Sequence, residues 1–448
     1  MVHDTRSVEE ATAYFSQLTT LITKSVESVL HDYAAASRPL PTLECTDSSA
    51  VLDTQVIRDA VRVIEGACAQ LVASIAPAPH IMANRTLGGV DQACLRVAIK
   101  AKIADQLRDG PKSVAELAAG AKVDAGKLGR VLRNLAVKHC FSEVTKDVFA
   151  NNRLSVCLLS GTNTNALVDF GTDELNTAFV YLPEALTKPE WLGSNGVEQT
   201  AYFLAHGQAH FKRYETETWR AERFSRAMIA YTGLQGGTDE IARIYPWPKV
   251  SPGTTFCDIG GAVGHVSFAL RKMHPHVKVV VQDMASVVED GHKLWEKEDP
   301  HGLAKGDVRL VAINFLEHSP VDGCDFYYLK HVLHDWPEAD CVTILTNIKK
   351  AMIKKRNSKL LIHEFMLHDA TQHADHAAAG AILAPPPLLA NFGTGAQRRY
   401  MMDINMLACY NGAERTLDDF IRIGNAAGLQ FSRLWEGGEV TVMEFACA

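Results

Sequence analysis

The 448-residue chain has no CxxC pair among its ten cysteines, no HExxH string, no internal repeat, no long block of like charge and no membrane-length apolar run. Each absence removes a class of function. Cysteines scattered at positions such as 45, 68, 94, 140 and 157 build neither a zinc site nor a disulfide framework, so reduced thiols and a cytoplasmic location are expected. The N-terminal MVHDTRSVEE is charged and leads into no apolar stretch, so neither a secretory signal nor a membrane anchor is expected. A formal charge of -7 gives no support for a nucleic-acid polyanion as substrate. What remains is a chain with 47% hydrophobic residues, enough for a large core and for two domains, placed at residues 1–245 and 246–448.

The most informative stretch is TFCDIGGAVGHVSFALRKMHPHVKVVVQDM, from Thr255 to Met284. An apolar strand, a glycine turn, an amphipathic helix and a second strand ending on a carboxylate describe a nucleotide-binding βαβ unit. Gly260, Gly261 and Gly264 let the chain turn sharply and bring backbone N–H groups to a ligand. Asp283 lies 19 residues beyond Gly264, where a carboxylate can accept both hydroxyls of a ribose, and Met284 follows it. Asp258 opens the turn with a negative charge that would repel a pyrophosphate. That favours a ligand with a ribose and a cationic part, S-adenosyl-L-methionine, over a dinucleotide.

Before this unit the chain reads as mostly helical. Phe15, Leu18, Leu21, Ile22, Val26 and Leu30 recur at helical spacing, and a second helix is expected from Asp53 to Ile75. A helix at the extreme N-terminus with one apolar face needs a partner, in the same chain or a second subunit. Residues 94–107 read as a helix, Ser113 and Glu116 as a capping box, 124–135 as a third helix and FSEVTKDVFA as a hairpin. Three helices and a wing make a winged helix, whose Lys127, Arg130 and Arg133 raise DNA binding as an alternative to use as a packing module. In the aromatic stretch 201–235, core packing is the bland role, with Met228 and Thr232 as candidates for a substrate pocket.

After it, strands alternate with helices, which implies a mostly parallel sheet covered on both faces with ligands at the strands' carboxyl ends. Asp258, Asp283, Asn314, Lys330, His331, His334, Asp335 and Glu364 fall at those ends. Asn314 and Phe315 could bond and stack on an adenine, although core packing would equally explain Phe315. His363, His368, His373 and His376 raise a metal site, against which stands a flexible polar loop in Ala/Gly-rich sequence, and no metal is expected. APPPLLANFGTGAQRR reads as irregular and mobile, a partial lid. The following helix carries Met402, Asn405, Met406 and Cys409 on one side, suited to a flat ligand or to core. Glu414, after the Asn411-Gly412 turn, is expected to be exposed.

A methyl sulfonium needs an oxygen nucleophile, its deprotonation, and alignment. His334 is the candidate general base, since imidazole is easily poised near neutral pH, with Glu364 or Glu414 fixing its tautomer. Protonation of an ordinary histidine would lower activity below roughly pH 6 to 7.

DIGGAVG, QDMASVVEDG, LKHVLHDWP and NGAERT, in this order, make the chain resemble the plant and fungal small-molecule O-methyltransferases of the caffeate and flavonoid type. The similarity covers most of the chain. It implies an α/β architecture, with a C-terminal Rossmann-like methyltransferase domain behind an N-terminal, mostly helical, winged-helix dimerisation domain. It also implies a homodimer with no nucleic-acid or membrane partner. By similarity His334 is the base flanked by Glu364 and Glu414, Asp283 holds the ribose, Asn314 and Phe315 lie at the adenine, and Lys330 approaches the cofactor. Met228, Asn405 and Met406 contact an aromatic or polyketide-derived acceptor; His331 and Asp335 are further acceptor-side candidates. Ala262 stands where the family often has a third glycine, Asn314 where it often has aspartate, and His331 where it often has an aromatic residue. Two alternatives stay open: a pericyclase or dehydratase on the same fold without methyl transfer, and a non-enzymatic winged-helix scaffold.

Overall fold

A computed structural model describes residues 5–371 and 382–448. His373 and His376 lie outside the described residues. The chain divides into two compact units, the first containing residues up to Thr232 with two short pieces from 386–395, the second containing the rest.

In the first unit, helix α1 (Val8–Ala35) starts from a capping box in which Ser7 and Glu10 satisfy each other's backbone N–H groups. It packs on α2 (Gln55–Ile75), burying Leu18 and Tyr33 on one helix and Ala60 and Ala67 on the other. The helix expected over 94–107 is interrupted. Helix α3 (Gly89–Lys100) stops, Lys102 takes a left-handed backbone with φ 50°, and a new turn, Ile103–Gln106, carries Ile103 and Ala104 into the core. The capping box at Ser113 is present, with Glu116 Oε2 2.8 Å from the Ser113 amide, and starts α4 (Val114–Ala121). Asp124 caps α5 (Ala125–Val137). Strands β1 (Lys112–Ser113), β2 (Ser142–Thr145) and β3 (Val148–Ala150) form an antiparallel sheet in the order β1-β3-β2. Leu117, Leu128, Leu132, Phe141 and Phe149 fill the core between these helices and the sheet.

The aromatic stretch is helical but broken, ending in α6 (Thr218–Leu234). Its rings mostly serve the core: Phe224 meets Phe170 at 5.4 Å and His210 at 5.2 Å between centroids, both edge to face. Phe211 and Trp219 stay exposed. The segment expected to be mobile is pinned to α2, with Gln70 Nε2 donating to the Pro387 carbonyl at 2.7 Å and the Arg62 guanidinium 3.9 Å from the centre of the Phe392 ring.

In the second unit a seven-stranded sheet has the order β11-β12-β8-β7-β4-β5-β6. Strands β4 (Thr255–Ile259), β5 (Lys278–Asp283), β6 (Val308–Ala312), β7 (Phe326–Lys330) and β8 (Lys359–Glu364) are parallel, while β11 (Leu429–Glu436) and β12 (Thr441–Cys447) form an antiparallel edge. The period of two sends alternate residues to opposite faces. Cys257, Val280 and Tyr327 meet Ile344 and Ile348 of α10 (Glu338–Met352) and Phe420 of α12 (Leu417–Ala426). Phe256, Val281 and Tyr328 meet Leu270 of α8 (His265–Met273) and Trp295 of α9 (Ala285–Glu298). Two residues of α7 (Glu240–Ile244), Ile241 and Ala242, join the second core beside Tyr245 and Trp247. Residues 233–245, placed by the sequence with the first domain, therefore pack in the second unit, because their apolar side chains cover its sheet. The expected helix 402–409 is α11 (Gln397–Tyr410). Among the described residues no helix is long and apolar enough to cross a membrane.

Ile241 is 1% exposed. Ile241→Ala is expected to cost about 2–5 kcal/mol in urea unfolding monitored by tryptophan fluorescence, the loss of a core residue and not of a linker.

Candidate active site

The glycine turn rises from β4 on left-handed backbone: φ is 70° at Gly260, 50° at Ala262 and 89° at Gly264. Gly264 has no space for a side chain, since a Cβ would lie 2.7 Å from Trp295 Nε1 and 2.9 Å from Val281 Cγ2. Asp283, at the end of β5, accepts from the amides of Ala262 at 2.8 Å and Met284 at 2.7 Å. Each carboxylate oxygen keeps a second acceptor position, so the ribose role read from the sequence is compatible with this bonding. Asp258 is placed differently from the expectation. It is 2% exposed and accepts from Ser267 Oγ at 2.7 Å, and burial raises its carboxyl to about 6. A Cβ on Gly261 would sit 2.6 Å from the Asp258 carboxyl carbon. The acid thus supports the turn from beneath and does not present an open charge to a ligand.

Strand β6 ends at Ala312, so Asn314 lies just beyond it and is exposed, its Oδ1 accepting from the Leu316 amide at 3.2 Å. A groove of about 780 Å³ runs past Met284 and Asn314, lined also by Ala312, Ile313 and residues 318–322. Phe315 stands edge-on to Trp336 at 5.8 Å, and its Cε1 lies 3.9 Å from where a Gly260 Cβ would be. At the end of β7, burial draws the Lys330 ammonium below its ordinary range, against the pull of Glu240 and Asp258.

Next come the two imidazoles. His334 Nδ1 lies 2.8 Å from Glu414 Oε1 and 3.8 Å from Glu364 Oε2, and its Nε2 is 3.7 Å from Asp335 Oδ1. A hydrogen bond from Nδ1–H to Glu414 leaves Nε2 as the ring's proton acceptor. Burial disfavours the imidazolium, but Glu414, Glu364 and Asp335 outweigh it and push His334 up to about 10. Glu364 Oε1 accepts from the amides of Val332 and Leu333, both at 2.9 Å. His331, with φ 51°, stacks on His334 at 5.2 Å and bonds Gln235 Oε1 through Nε2 at 2.9 Å. His331, His334 and Glu364 have donor atoms within 4.8 Å of one another. His334 Nδ1 is engaged by Glu414, so an ion there would have to take the ring's Nε2 instead.

Glu414 is not exposed as expected; it is 5% exposed. The Asn411–Thr416 segment folds onto the His334 turn. Asn411 takes φ 53°, the Ala413 amide donates to the His334 carbonyl at 3.0 Å, and the Glu414 amide to Asp403 Oδ1 at 2.9 Å. Gly412 approaches so closely that a Cβ would be 2.2 Å from the His334 carbonyl oxygen. Arg415, 7% exposed, donates to the carbonyls of Leu333 and Trp336, each at 2.7 Å. Strand β10 (Arg415–Thr416) then pairs in parallel with β9 (Met366–Leu367).

On α11, Asn405 is half-buried, with Nδ2 3.3 Å from Met402 Sδ, while Met406 is buried at 5% exposure. Met228 and Thr232 are half-buried on α6, in the first unit. His363 does not form a cluster with His368: it is fully buried on β8, with Nδ1 2.6 Å from Tyr328 Oη and Nε2 3.4 Å from Glu240 Oε2. Gln235, Arg415 and Asp403 went unread in the sequence; only the Arg within NGAERT carried any signal.

The comparisons with known proteins agree with this geometry. Residues 190–430, more than half of the chain, match the O-methyltransferase domain, and residues 85–161 match the O-methyltransferase dimerisation domain. The chain belongs to the O-methyltransferase family. It is 41% identical to the 3-O-methyltransferase 2 of Phanerochaete chrysosporium, over 97% of this chain and 98% of that protein. It is 30% identical to a sterigmatocystin 8-O-methyltransferase of Aspergillus flavus, over 65% of this chain and 67% of that protein. The O-methyltransferase NcsB1, solved with S-adenosylmethionine and 2-hydroxy-5-methyl naphthoic acid, shares the fold with a TM-score of 0.60 and 21% identity, over 80% of this chain and 96% of that one.

This O-methyltransferase uses S-adenosylmethionine, and its α/β domain is Rossmann-like, preceded by a smaller helical dimerisation domain. The donor set fits the cofactor: a tight turn, a carboxylate with acceptor positions to spare, and an exposed amide beside a groove. The scaffold and pericyclase alternatives give way to methyl transfer.

Arg415→Ala removes two charge-assisted bonds and leaves the Leu333 and Trp336 carbonyls only weaker contacts with the Trp336 amide and the Cys341 thiol, and is expected to lower stability by about 3 kcal/mol. Urea denaturation, with kcat measured below the transition, checks both this cost and the displacement of Glu414.

Proposed function

We propose that this O-methyltransferase methylates a hydroxyl of a phenolic or polyketide-derived secondary metabolite, with His334 as general base. The observation that carries the reading is the 2.8 Å contact between His334 Nδ1 and the buried Glu414 carboxylate. It orients the ring, fixes the Nδ1–H tautomer and leaves Nε2 to take the acceptor's proton. S-adenosylmethionine, when bound, supplies an electrophilic methyl. A phenol has an ordinary pKa of about 10, which an imidazole strengthened by carboxylates can match. Glu414 then stabilises the imidazolium that results.

Asp283, Met284, Asn314, Phe315 and Lys330, with the Gly260–Gly264 turn, are assigned to the cofactor. Met228, Thr232, Asn405, Met406, His331 and Asp335 are assigned to the acceptor. The acceptor class is supported by the sterigmatocystin and hydroxynaphthoic acid in the relatives' names.

The helices and three-stranded sheet of residues 89–150 are read as a winged helix used for dimerisation. The family match at 85–161 supports this, as do Ile75, Met82, Leu87 and Val97, apolar and exposed in the single chain. Arg133, in the helix that would read DNA, is engaged with Asp147 at 2.6 Å, which speaks for packing over nucleic-acid binding. The ten cysteines stand outside any disulfide among the described residues, in keeping with a reducing, cytoplasmic setting. Light scattering on the eluted protein is expected to give twice the 49.0 kDa chain mass, and Leu87→Lys to shift it toward one.

His334→Ala is expected to reduce kcat by roughly 10²- to 10⁴-fold in a panel of phenolic acceptors, with S-adenosylmethionine affinity retained. Turnover within a few-fold of wild type would end the assignment. A base must be unprotonated to act, and the carboxylates raise the pKa of His334, so kcat/KM should increase with pH along a limb displaced above that of an ordinary histidine. Glu414→Gln removes one of the charges responsible and should move the limb toward acid by roughly one to three pH units.

A further inference from the structure

Beside His334, two buried acceptors face each other. His331 Nδ1 and Glu364 Oε2 lie 3.8 Å apart, and neither has a hydrogen-bond partner. Glu364 is fully buried, and its other oxygen is occupied by the Val332 and Leu333 amides. With His331 Nε2 donating to Gln235 Oε1, the opposing Nδ1 carries no proton. Two bare buried acceptors repel each other, and each lacks the bond that would offset its desolvation. A single proton between them turns that repulsion into attraction, and a small side-chain rotation that closes the 3.8 Å gap makes a hydrogen bond that satisfies both.

We propose that His331 is a positioning residue for the methyl-transfer base: it holds a proton on Glu364, so that Glu364 stands beside His334 as a neutral acid. The inference rests on the reading of His334 as base and explains how that reading can work. With Glu414, Glu364 and Asp335 all anionic, His334 is held protonated, and an imidazolium cannot accept a proton. Neutralising Glu364 leaves Glu414 as the one anion directly bonded to the ring.

The surroundings are consistent with this division. Burial raises Glu364 to about 7 and holds His331 well below its ordinary value. Glu364 is faced by His331 and His334 from the turn after β7 and by Glu414 from the approach to β10, while Asp335 faces His334. Lys330 on β7 feels both Glu364 and Glu240 of α7, and His363 adjoins Glu364 on β8. Gln235, 1% exposed, sets the direction of the chain of bonds through the orientation of its amide.

The test is the acid limb of kcat/KM against pH for wild type, His331→Phe, His331→Asn, Glu364→Gln and the double variant His331→Phe/Glu364→Gln, with an NMR titration of His334 in the first two. Losing His331 should let Glu364 ionise and drive the limb and the His334 titration upward by about one pH unit. His331→Asn keeps an amide oxygen able to accept from Glu364 and tolerates the left-handed backbone, so its limb should stay near wild type. On the Glu364→Gln background, His331→Phe should add no further shift. A downward shift in His331→Phe would mean that Glu364 is anionic beside a protonated His331 in the wild type and takes up a proton only when that cation is lost, overturning the proposal. An unmoved limb, or an equal shift in the double variant, would also overturn it. A wild-type profile with no acid limb would remove the His334 reading itself, and this inference with it.

Discussion

The site depends on the parallel register between β7 and β8. Lys330 pairs with His363, and the ladder continues as the His331 amide donates to the His363 carbonyl at 3.3 Å. Glu364, one residue past that pair, is thereby carried opposite the turn that holds His331 and His334. Side chains alternate along a strand, so a slip of one residue would turn Glu364 to the other face of the sheet and take its carboxylate away from both imidazoles. The sheet core on either side, with Tyr327 and Ile362 on one face and Tyr328 and Leu361 on the other, holds the register in place.

A charge so deep needs partners, because burying a carboxylate costs several kcal/mol even after relaxation. The two glutamates meet that cost differently. Glu364 has two backbone donors for one oxygen and, as proposed above, carries on the other a proton facing the bare His331 nitrogen, so that it bears no charge. Glu414 faces the His334 Nδ1–H directly. Arg415 completes the arrangement by bonding the carbonyls on either side of the His334 turn, so the segment that delivers Glu414 also clamps the residue it serves. The base and its carboxylate are therefore held by one interlocked set of backbone bonds.

The parts of this arrangement written in local chemistry were legible in the sequence. Apolar runs announced the strands, the capping box at Ser113 announced a helix start, and the glycines announced the turn at the end of β4. What could not be read was depth. Glu414 follows an Asn-Gly turn, which normally marks surface, yet it is buried because Gly412 lets that turn press onto the His334 carbonyl. Asp258 opens a ligand-binding turn and yet points beneath it, since Ser267, nine residues on in α8, claims its carboxylate. Gln235 and Glu240 gave no signal either, for their role arises from packing at central strands more than ninety residues away in sequence, at His331 and His363.

Left-handed backbone at residues other than glycine is uncommon and costs about 1–2 kcal/mol each time. In the second unit Ala262, His331 and Asn411 all adopt it, with φ of 50°, 51° and 53°. Each stands at a bend that sets a neighbour: Ala262 aims its amide at Asp283, His331 begins the turn to His334, and Asn411 ends α11 so that Glu414 can enter. Strain of this kind persists only where the surrounding bonds over-determine the backbone. The ladder, the Arg415 clamp and the Asp283 carboxylate supply those bonds. At the two bends beside the imidazole, His331 and Asn411, these bonds hold His334 in a single orientation.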